Sequence, residues 1–283
     1  MTMNVRTQQR IAVGFLFFCT VLVVLPVLVI LSIITYKGFS ALSFDFIFGM
    51  PESGMNAGGI FPALLGTIYL VTGAILIAVP LGVMSAIYLV EYSRDNAVSR
   101  LIKLAIVNLA GVPSVVYGLF GLGVFVVFLG FGVSILSGSL TLGIMILPVI
   151  ITASREALES VPKSFRTVSL SLGASRWQTI RHAVLPHALP GILTGTILGL
   201  GRAAGETAPI LFTVAAFYLP TLPESVFDQT MALPYHLYVI STQVPGVRED
   251  FRFGTALVLL LLVLILNLAA IVLRYRFRKK KRW

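Results

Sequence analysis

Two charged residues stand in a stretch that is otherwise apolar. From Pro190 to Phe212 the chain reads PGILTGTILGLGRAAGETAPILF, and only Arg202 and Glu206 ionise within it. They are set four residues apart, so on a helix they can pair. If the helix begins at Pro190, Arg202 lies roughly 18 Å along it. That is near the middle of a hydrocarbon core about 30 Å thick. Placing an arginine there costs about 2.5–3.5 kcal/mol on translocon-based scales. One reading is a self-neutralised pair that ties helices together. Two apolar residues would pack as well without desolvating two charges, which favours a chemical use. A guanidinium fork binds an oxyanion through two parallel hydrogen bonds. A neighbouring carboxylate competes for that fork and keeps the anion from being held too firmly to leave. This is the chemistry of passing a solute, not of making or breaking a bond.

The element that positions these charges must be a membrane helix. The chain has 283 residues, of which 57% are hydrophobic and 11% charged, whereas soluble domains carry about 25% charged residues. A surface so poor in charge has lipid as its solvent. The net charge of +10 would point to nucleic acid in a soluble protein. Here the basic residues fall between apolar runs, where they set topology and meet phospholipid, so a nucleic-acid partner is set aside. Enzyme classes fall with it. His182 and His187 lie in one loop and His236 on the opposite side, and no H-E-x-x-H occurs, so no nucleophile or metal site assembles. Cys19, the single cysteine, has no partner for an internal disulfide.

A spanning helix needs about 20 apolar residues. Ile11–Ile34 follows Arg6 and Arg10 as the apolar part of a signal peptide would. It exceeds the roughly 15 residues of such a region, and no A-x-A site follows. It is read as a retained span. Asn56–Val90 holds the second, helical from near Ala63 after Pro62. Leu104–Ser154 is too long for one span, and Gly130-Phe131-Gly132 through Ser137-Gly138-Ser139 supplies a turn between the third and the fourth. The fifth runs from near Pro190 to about Phe212 and the sixth from Phe253 to Leu273. In the third, Pro113 either kinks an ordinary membrane helix or breaks it where backbone lines a transport path. In the fifth, Gly191, Gly195 and Gly199 form a ridge that lets a neighbouring helix approach closely. Six spans put both termini on one side. That side's segments hold 17 basic residues, and the other side holds Lys37, Arg248 and Arg252. The positive-inside rule therefore predicts cytoplasmic termini, with the run Arg278–Arg282 as an anchor against anionic lipid.

The longest cytoplasmic segment, Arg155 to about Leu189, contains a stretch of helical character from Ala174 to Leu185 with Ser175 as a candidate N-cap. Its exposed face is expected to mix Arg176, Gln178, Arg181 and His182 with Trp177 and Ile180. Periodicity alone allows either a helix lying on the membrane or a docking helix for a soluble partner. The spacing of Gly173, nine residues, Ala183, one residue, then Leu185-Pro186 resembles the loop signature of permeases of ATP-binding-cassette importers. Two positions depart from it: Thr167-Val168-Ser169 stands where that family has Glu-Ala-Ala, and Ala183 replaces Ile. The resemblance implies a coupling helix seated on an ATPase subunit, with Gly173, Ala174, Ser175, Arg176, Trp177, Ile180, Leu185 and Pro186 as its docking residues. The chain has no G-x-x-x-x-G-K-[ST] phosphate loop, so hydrolysis is expected in a partner that uses ATP and Mg, with no cofactor on this chain.

A narrower resemblance comes from three segments: Gly201 to Pro209 (GRAAGETAP), Gly111 to Phe120 (GVPSVVYGLF), and Glu156-Ala157-Leu158 through Val161-Pro162. Together they resemble the permeases of the bacterial high-affinity phosphate importer, from Thr67 to the sixth span, and the short N-terminal region is similar to the A-type subunit (PstA-type). The resemblance implies an all-α membrane protein with six spans in the type I importer permease fold. It divides the chain into an N-terminal segment 1–62, a permease core 63–275 with a coupling loop at about 155–189, and a basic tail 276–283. It implies a substrate pathway through Arg202, Glu206, Pro113, Ser114 and Thr207. The implied partners are a second, homologous permease in a heterodimer, two ATP-binding subunits, an extracytoplasmic phosphate-binding protein, phosphate itself and the lipid of a bacterial inner membrane. Two alternatives stay open: a permease for another oxyanion or a phosphonate, and a membrane scaffold or sensor that docks a cytoplasmic protein.

Overall fold

A computed structural model describes residues Val5–Lys279; Lys280, Lys281 and Arg282 of the basic tail lie outside the described residues. The chain is helical almost throughout. α1 (Val5–Gly38) is apolar along most of its length and presents those side chains outward. Its far end carries α2 (Phe44–Phe48), N-capped by Ser43, and a two-residue antiparallel hairpin of β1 (Pro51–Glu52) with β2 (Ala57–Gly58). α3 (Phe61–Ile87) starts with Pro62 in its first turn, where the missing N–H costs nothing. It ends in a wider π-type turn, Tyr88–Tyr92. α4 (Ala97–Ala110) and α5 (Ser114–Gly121, continued by a π-type stretch to Phe128) meet at Pro113 with a bend of 103°. α6 (Ile135–Glu159) returns beside α3, and α7 (Lys163–Ser171) lies beyond its end.

α8 (Arg176–Thr179), a π-type turn at Ile180–Val184 and α9 (Leu185–Gly205) follow one another directly. α10 (Ala208–Thr213), α11 (Leu233–Thr242) and α12 (Glu249–Lys279) complete the order. Five helical stretches are long and apolar enough to cross a membrane, and the bent pair α4–α5 makes a sixth. Five of the six crossings expected from the apolar runs are single helical stretches, and the third is a pair bent by 103° at Pro113, broken and not merely kinked.

Three boundaries differ from the sequence reading, each for a local reason. Ser137-Gly138-Ser139 is not a turn: the turn lies at Gly130 and Gly132, both at positive φ, and Ser134 caps α6 by accepting from the Ser137 N–H. Ala174–Leu185 is not a separate short helix but the opening of the fifth crossing. Pro186 sits in the first turn of α9, and the π-type turn just before it absorbs the hydrogen bond that proline cannot make. The fifth crossing stops at Gly205 and not at Phe212. Pro209 has no N–H for the Gly205 carbonyl and its ring would strike that carbonyl, so the helix restarts as α10.

The core is a layer of α3, α6 and α9. Leu70, Ala74, Leu142, Ile146, Ile150 and Ala203 are buried at its centre, and Leu158, Ile180, Val184 and Ile192 at the end nearer α7. The glycine ridge faces α6. A Cβ on Gly191 would come 2.5 Å from the Cβ of Ala157, one on Gly195 would meet Ala153, and Gly199 lies against Ile146 and Ile150. At the opposite end α11 is pinned to α3, where the Leu233 N–H donates to Thr67 Oγ1 at 2.8 Å. There burial pushes the imidazole of His236 down to about 4, so it is neutral near pH 7.

The ridge yields a first prediction. Gly195→Val should force α6 and α9 apart and cost at least about 1–3 kcal/mol, the usual penalty for overpacking. Gly123→Ala, where a Cβ meets nothing within 4 Å, should be neutral. Thermal unfolding in detergent compares the two, and equal midpoints would dismiss the ridge as the packing seam.

Candidate functional site

The ridge fixes a register. Each four-residue step along α9 is matched by a four-residue step back along α6, from Gly191 at Ala157 to Gly195 at Ala153. Continued, it brings Arg202 to the level of Ile146, close to the midpoint of α6 (Ile135–Glu159). Arg202 is thus level with the middle of α6, in the last turn of a helix that starts before Pro190. On the other side Gly121 lies against Thr141, in the second turn of α6. Pro113 and Ser114 then fall near the same mid-level, about 12 Å back along α5. Of the residues at the two breaks, Pro113 and Gly205 are exposed, Ser114 and Thr207 half-buried and Pro209 buried.

The Arg202 side chain leaves the last turn of α9, where a cation is favoured by the carbonyl end of the helix. Glu206 is the C-terminal cap residue and is extended, with φ −77° and ψ 136°. The two still meet, with Nε 3.4 Å from Oε1. The pair is only partly buried: 33% of the Arg202 side chain and 18% of Glu206 are accessible. Among the described residues the two terminal nitrogens of Arg202 donate to no protein acceptor, so the fork is available. Thr207, half-buried, precedes α10. Across the bundle, Pro113 caps α5 and Ser114 opens it, and the Val116 N–H donates to Pro113 O at 3.0 Å. No hydrogen bond joins Pro113 or Ser114 to the Arg202–Glu206 pair among the described residues.

Two residues of this region escaped the sequence reading. Tyr117, 5% exposed, donates from its hydroxyl to the Leu109 carbonyl at 2.7 Å and so clamps the bend between α4 and α5. It also lies within charge range of Arg202. Asn267 of α12 packs its amide against Gly201, the neighbour of Arg202, and its Oδ1 is buried without a partner. A tyrosine beside a proline and an asparagine inside an apolar run were the available signals. Among the described residues no three His, Cys, Asp or Glu side chains converge on a metal-sized site.

The loop residues are placed differently from the expectation. Gly173, Ser175, Arg176 and Trp177 are exposed, and Ala174 is half-buried. Ile180 is 2% exposed and belongs to the buried cluster, which corrects its place on the outer face. Leu185 and Pro186 are half-buried in the first turn of α9. The helix that stands clear of the bundle is α7, none of whose residues is buried. It ends in a Schellman turn: the Ala174 N–H donates to Ser169 O, the Gly173 N–H to Leu170 O, and Gly173 takes φ +85°. Ser175 and Gln178 then cap α8 reciprocally. Around this turn Val168, Leu170, Leu172 and Trp177 are exposed, large apolar side chains of the kind that a partner protein covers.

Comparison with known proteins agrees with this architecture. Residues 78–283 match the family described as binding-protein-dependent transport system inner membrane component. The probable ABC transporter permease protein YqgI of Bacillus subtilis is 34% identical over 270 residues, covering 91% of this chain and 92% of that protein. The phosphate transport system permease protein PstA of Mycobacterium leprae is 38% identical over 240 residues, covering 82% and 77%. Among solved structures, a bacterial alginate ABC transporter in complex with an alginate pentasaccharide-bound periplasmic protein superposes with a TM-score of 0.65 at 14% identity, covering 94% of this chain and 96% of that one. The MetNI methionine ABC transporter in an inward-facing conformation superposes at 0.57 and 18% identity, covering 77% and 94%. The fold is that of type I importer permeases.

The Schellman turn provides a second prediction. Nothing lies within 4 Å of a Cβ on Gly173, so substitution there is opposed by backbone conformation alone. Gly173→Val should destabilise the α7–α8 junction by about 1–2 kcal/mol and speed its amide hydrogen exchange. Gly173→Asn, which tolerates positive φ, should exchange nearly as the parent does. Unchanged exchange in the valine variant would show that the turn does not need glycine.

Proposed function

Because the chain belongs to the family of binding-protein-dependent transport system inner membrane components, and is thus a non-catalytic permease subunit of an ABC importer, we propose that the solute it passes is inorganic phosphate. The observation that carries this reading is Arg202, level with the middle of α6, with terminal nitrogens that meet no protein acceptor among the described residues and a carboxylate at its side. Relatives named as phosphate permeases, identical at 38% and 36%, support it. The structural neighbours named for methionine and alginate share the fold at 18% and 14% identity, a level at which the fold hosts unlike substrates.

In this reading a phosphate that reaches mid-depth exchanges water for the Nη groups of Arg202 and for the N–H groups that open α5 at Ser114. Glu206 already holds Nε, so the fork offers attraction without its full charge, and the anion can leave. The same carboxylate accepts the P–OH hydrogen, which a fully ionised oxyanion lacks. Pro113 and Thr207 set the two breaks that bring these groups to the path. A second homologous permease completes the path in a heterodimer. Two ATP-binding subunits sit against α7 and the Schellman turn, and an extracytoplasmic phosphate-binding protein delivers the anion to the opposite face. The 17 basic residues of the α7 side make that side cytoplasmic. The permease core is 63–275.

Arg202→Gln should reduce phosphate uptake by roughly 10- to 100-fold with the complex still assembled, the equivalent of losing a charge-assisted hydrogen bond worth about 1.5–3 kcal/mol. Arg202→Lys should fail as well, since it keeps the charge and loses the fork. Uptake into vesicles, normalised to assembled complex, is the measurement, and parent-level uptake by Arg202→Gln would remove Arg202 from the path. Orientation has its own test. Ser175→Cys in a Cys19→Ser background should stay unlabelled by an impermeant thiol reagent in intact cells, and ready labelling would invert the topology.

A further inference from the structure

α7 stands clear of the bundle, yet one of its side chains reaches back into it. Arg166 is held by a carboxylate and two carbonyls. Its Nη2 donates to Oε1 of Glu91 at 2.6 Å, and its Nε to both carboxylate oxygens at 3.0 and 3.2 Å. Nη2 also donates to Leu158 O at 2.9 Å, and Nη1 donates to Val161 O at 2.8 Å. The three partners belong to two different crossings. Glu91 lies in the π-type turn that ends α3, and Leu158 and Val161 lie at and just past the end of α6. Each contact answers a local need. A carboxylate in the last turn of a helix opposes the helix dipole and requires a cation. Past the end of α6 the i+4 donor is lost, and Leu158 O is left with only a 3.3 Å bond from the Val161 N–H and the cap N–H of Ser160. A guanidinium is the one side chain with enough donors in a rigid fork to meet both at once.

The rest of α7 is attached to the fifth crossing. The Phe165 ring lies 4.9 Å from that of His187, and the hydroxyls of Ser169 and Thr179 are 2.9 Å apart. Those ties bind α7 to α8 and α9. The Arg166 fork therefore carries any displacement of α7 to α3 and α6, which with α9 form the layer that holds the Arg202 site. The side chains are sheltered, 20% accessible for Arg166 and 11% for Glu91, so water does not loosen the joint as it loosens a surface pair.

We propose that Arg166 and Glu91 are positioning residues that form the transmission joint between the docking helix and the membrane core: they make α7, the end of α3 and the end of α6 move as one body, so that ATP-driven displacement of α7 reopens or closes the path at Arg202. This rests on the reading that α7 is the ATPase-docking element. Docking and transmission are separable here, because Arg166 points into the bundle while Leu172 and Trp177 point away from it.

The test uses the complete importer, reconstituted in liposomes with its binding protein, and records three quantities: ATPase subunit retained, ATP hydrolysed, and inorganic phosphate moved per ATP. Arg166→Gln and Glu91→Gln should retain the ATPase subunit and go on hydrolysing ATP, while phosphate moved per ATP falls at least tenfold. In a Cys19→Ser background, a short bifunctional thiol reagent joining Glu91→Cys to Arg166→Cys should restore much of the ratio, which a purely electrostatic role would not allow. Should the glutamine variants not assemble, Arg166→Lys takes their place. It keeps the charge and loses the fork, and its ratio should also fall at least tenfold. A parent-level ratio in assembled Arg166→Gln or Arg166→Lys would overturn the joint. So would loss of the ATPase subunit from Arg166→Gln but not Glu91→Gln, which would make Arg166 a docking contact. Leu172→Asp separates the premise from the proposal. It should shed the ATPase subunit, and normal retention would refute docking through α7, and the joint with it.

Discussion

In lipid, a backbone N–H or C=O that leaves a helix must find a partner inside the protein, and the centre of this bundle is built around that constraint. Two crossings break there, at Pro113 and between Gly205 and Pro209, and in each case proline is the cause. The breaks persist because the pieces that follow them cover each other. Gly118 of α5 brings its backbone so near α10 that a Cβ would lie 3.0 Å from Ala208 O and 3.1 Å from the Cα of Pro209. The Tyr117 hydroxyl takes the Leu109 carbonyl released at the first break. What remains unsatisfied among the described residues is the pair of terminal nitrogens of Arg202, at the end of α9 where the second break begins. The same prolines that interrupt the helices thereby create the polar spot in an apolar bundle.

The depth of that spot depends on the α6–α9 seam. With glycine at 191, 195 and 199 the two helices pack at backbone contact, and the register is set by Ala157 and Ala153. A larger residue would shift Arg202 along the membrane normal as well as away from α6. The ridge and the charged pair, which look like separate features along the chain, are therefore one device.

Much of this was legible in the sequence because it follows from periodicity and from residues with few conformational options. The six apolar runs, the ridge, the Arg202–Glu206 pair and the N-cap at Ser175 could be read from spacing. The places where that reading failed share a cause. Ser137-Gly138-Ser139 looks like a turn by composition, but Gly138 is needed against Val214 and Leu70 inside α6. Pro186 looks like a terminator, but a π-type turn upstream absorbs it. Ile180 looks exposed on a loop helix, yet the helix continues into the membrane and buries it. Each of these depends on what packs alongside, which a single strand of sequence does not carry. The Arg166–Glu91 contact is the extreme case, since 75 residues separate the partners and no periodicity links them.

The two arginine–glutamate pairs show how one pairing chemistry serves opposite ends. Arg166 spends its donors on Glu91, Leu158 and Val161, with contacts down to 2.6 Å, and only 20% of its side chain meets solvent or lipid. Four of its five N–H groups are engaged, and breaking the pair strands a sheltered charge. Arg202 makes a single contact of 3.4 Å and leaves 33% of its side chain accessible. A pair meant only to hold helices would be drawn toward the first arrangement, because unmet donors in a low-dielectric interior are costly. The unmet donors of Arg202 are tolerable where water or an anion can reach them, and the 33% of its side chain left accessible allows that.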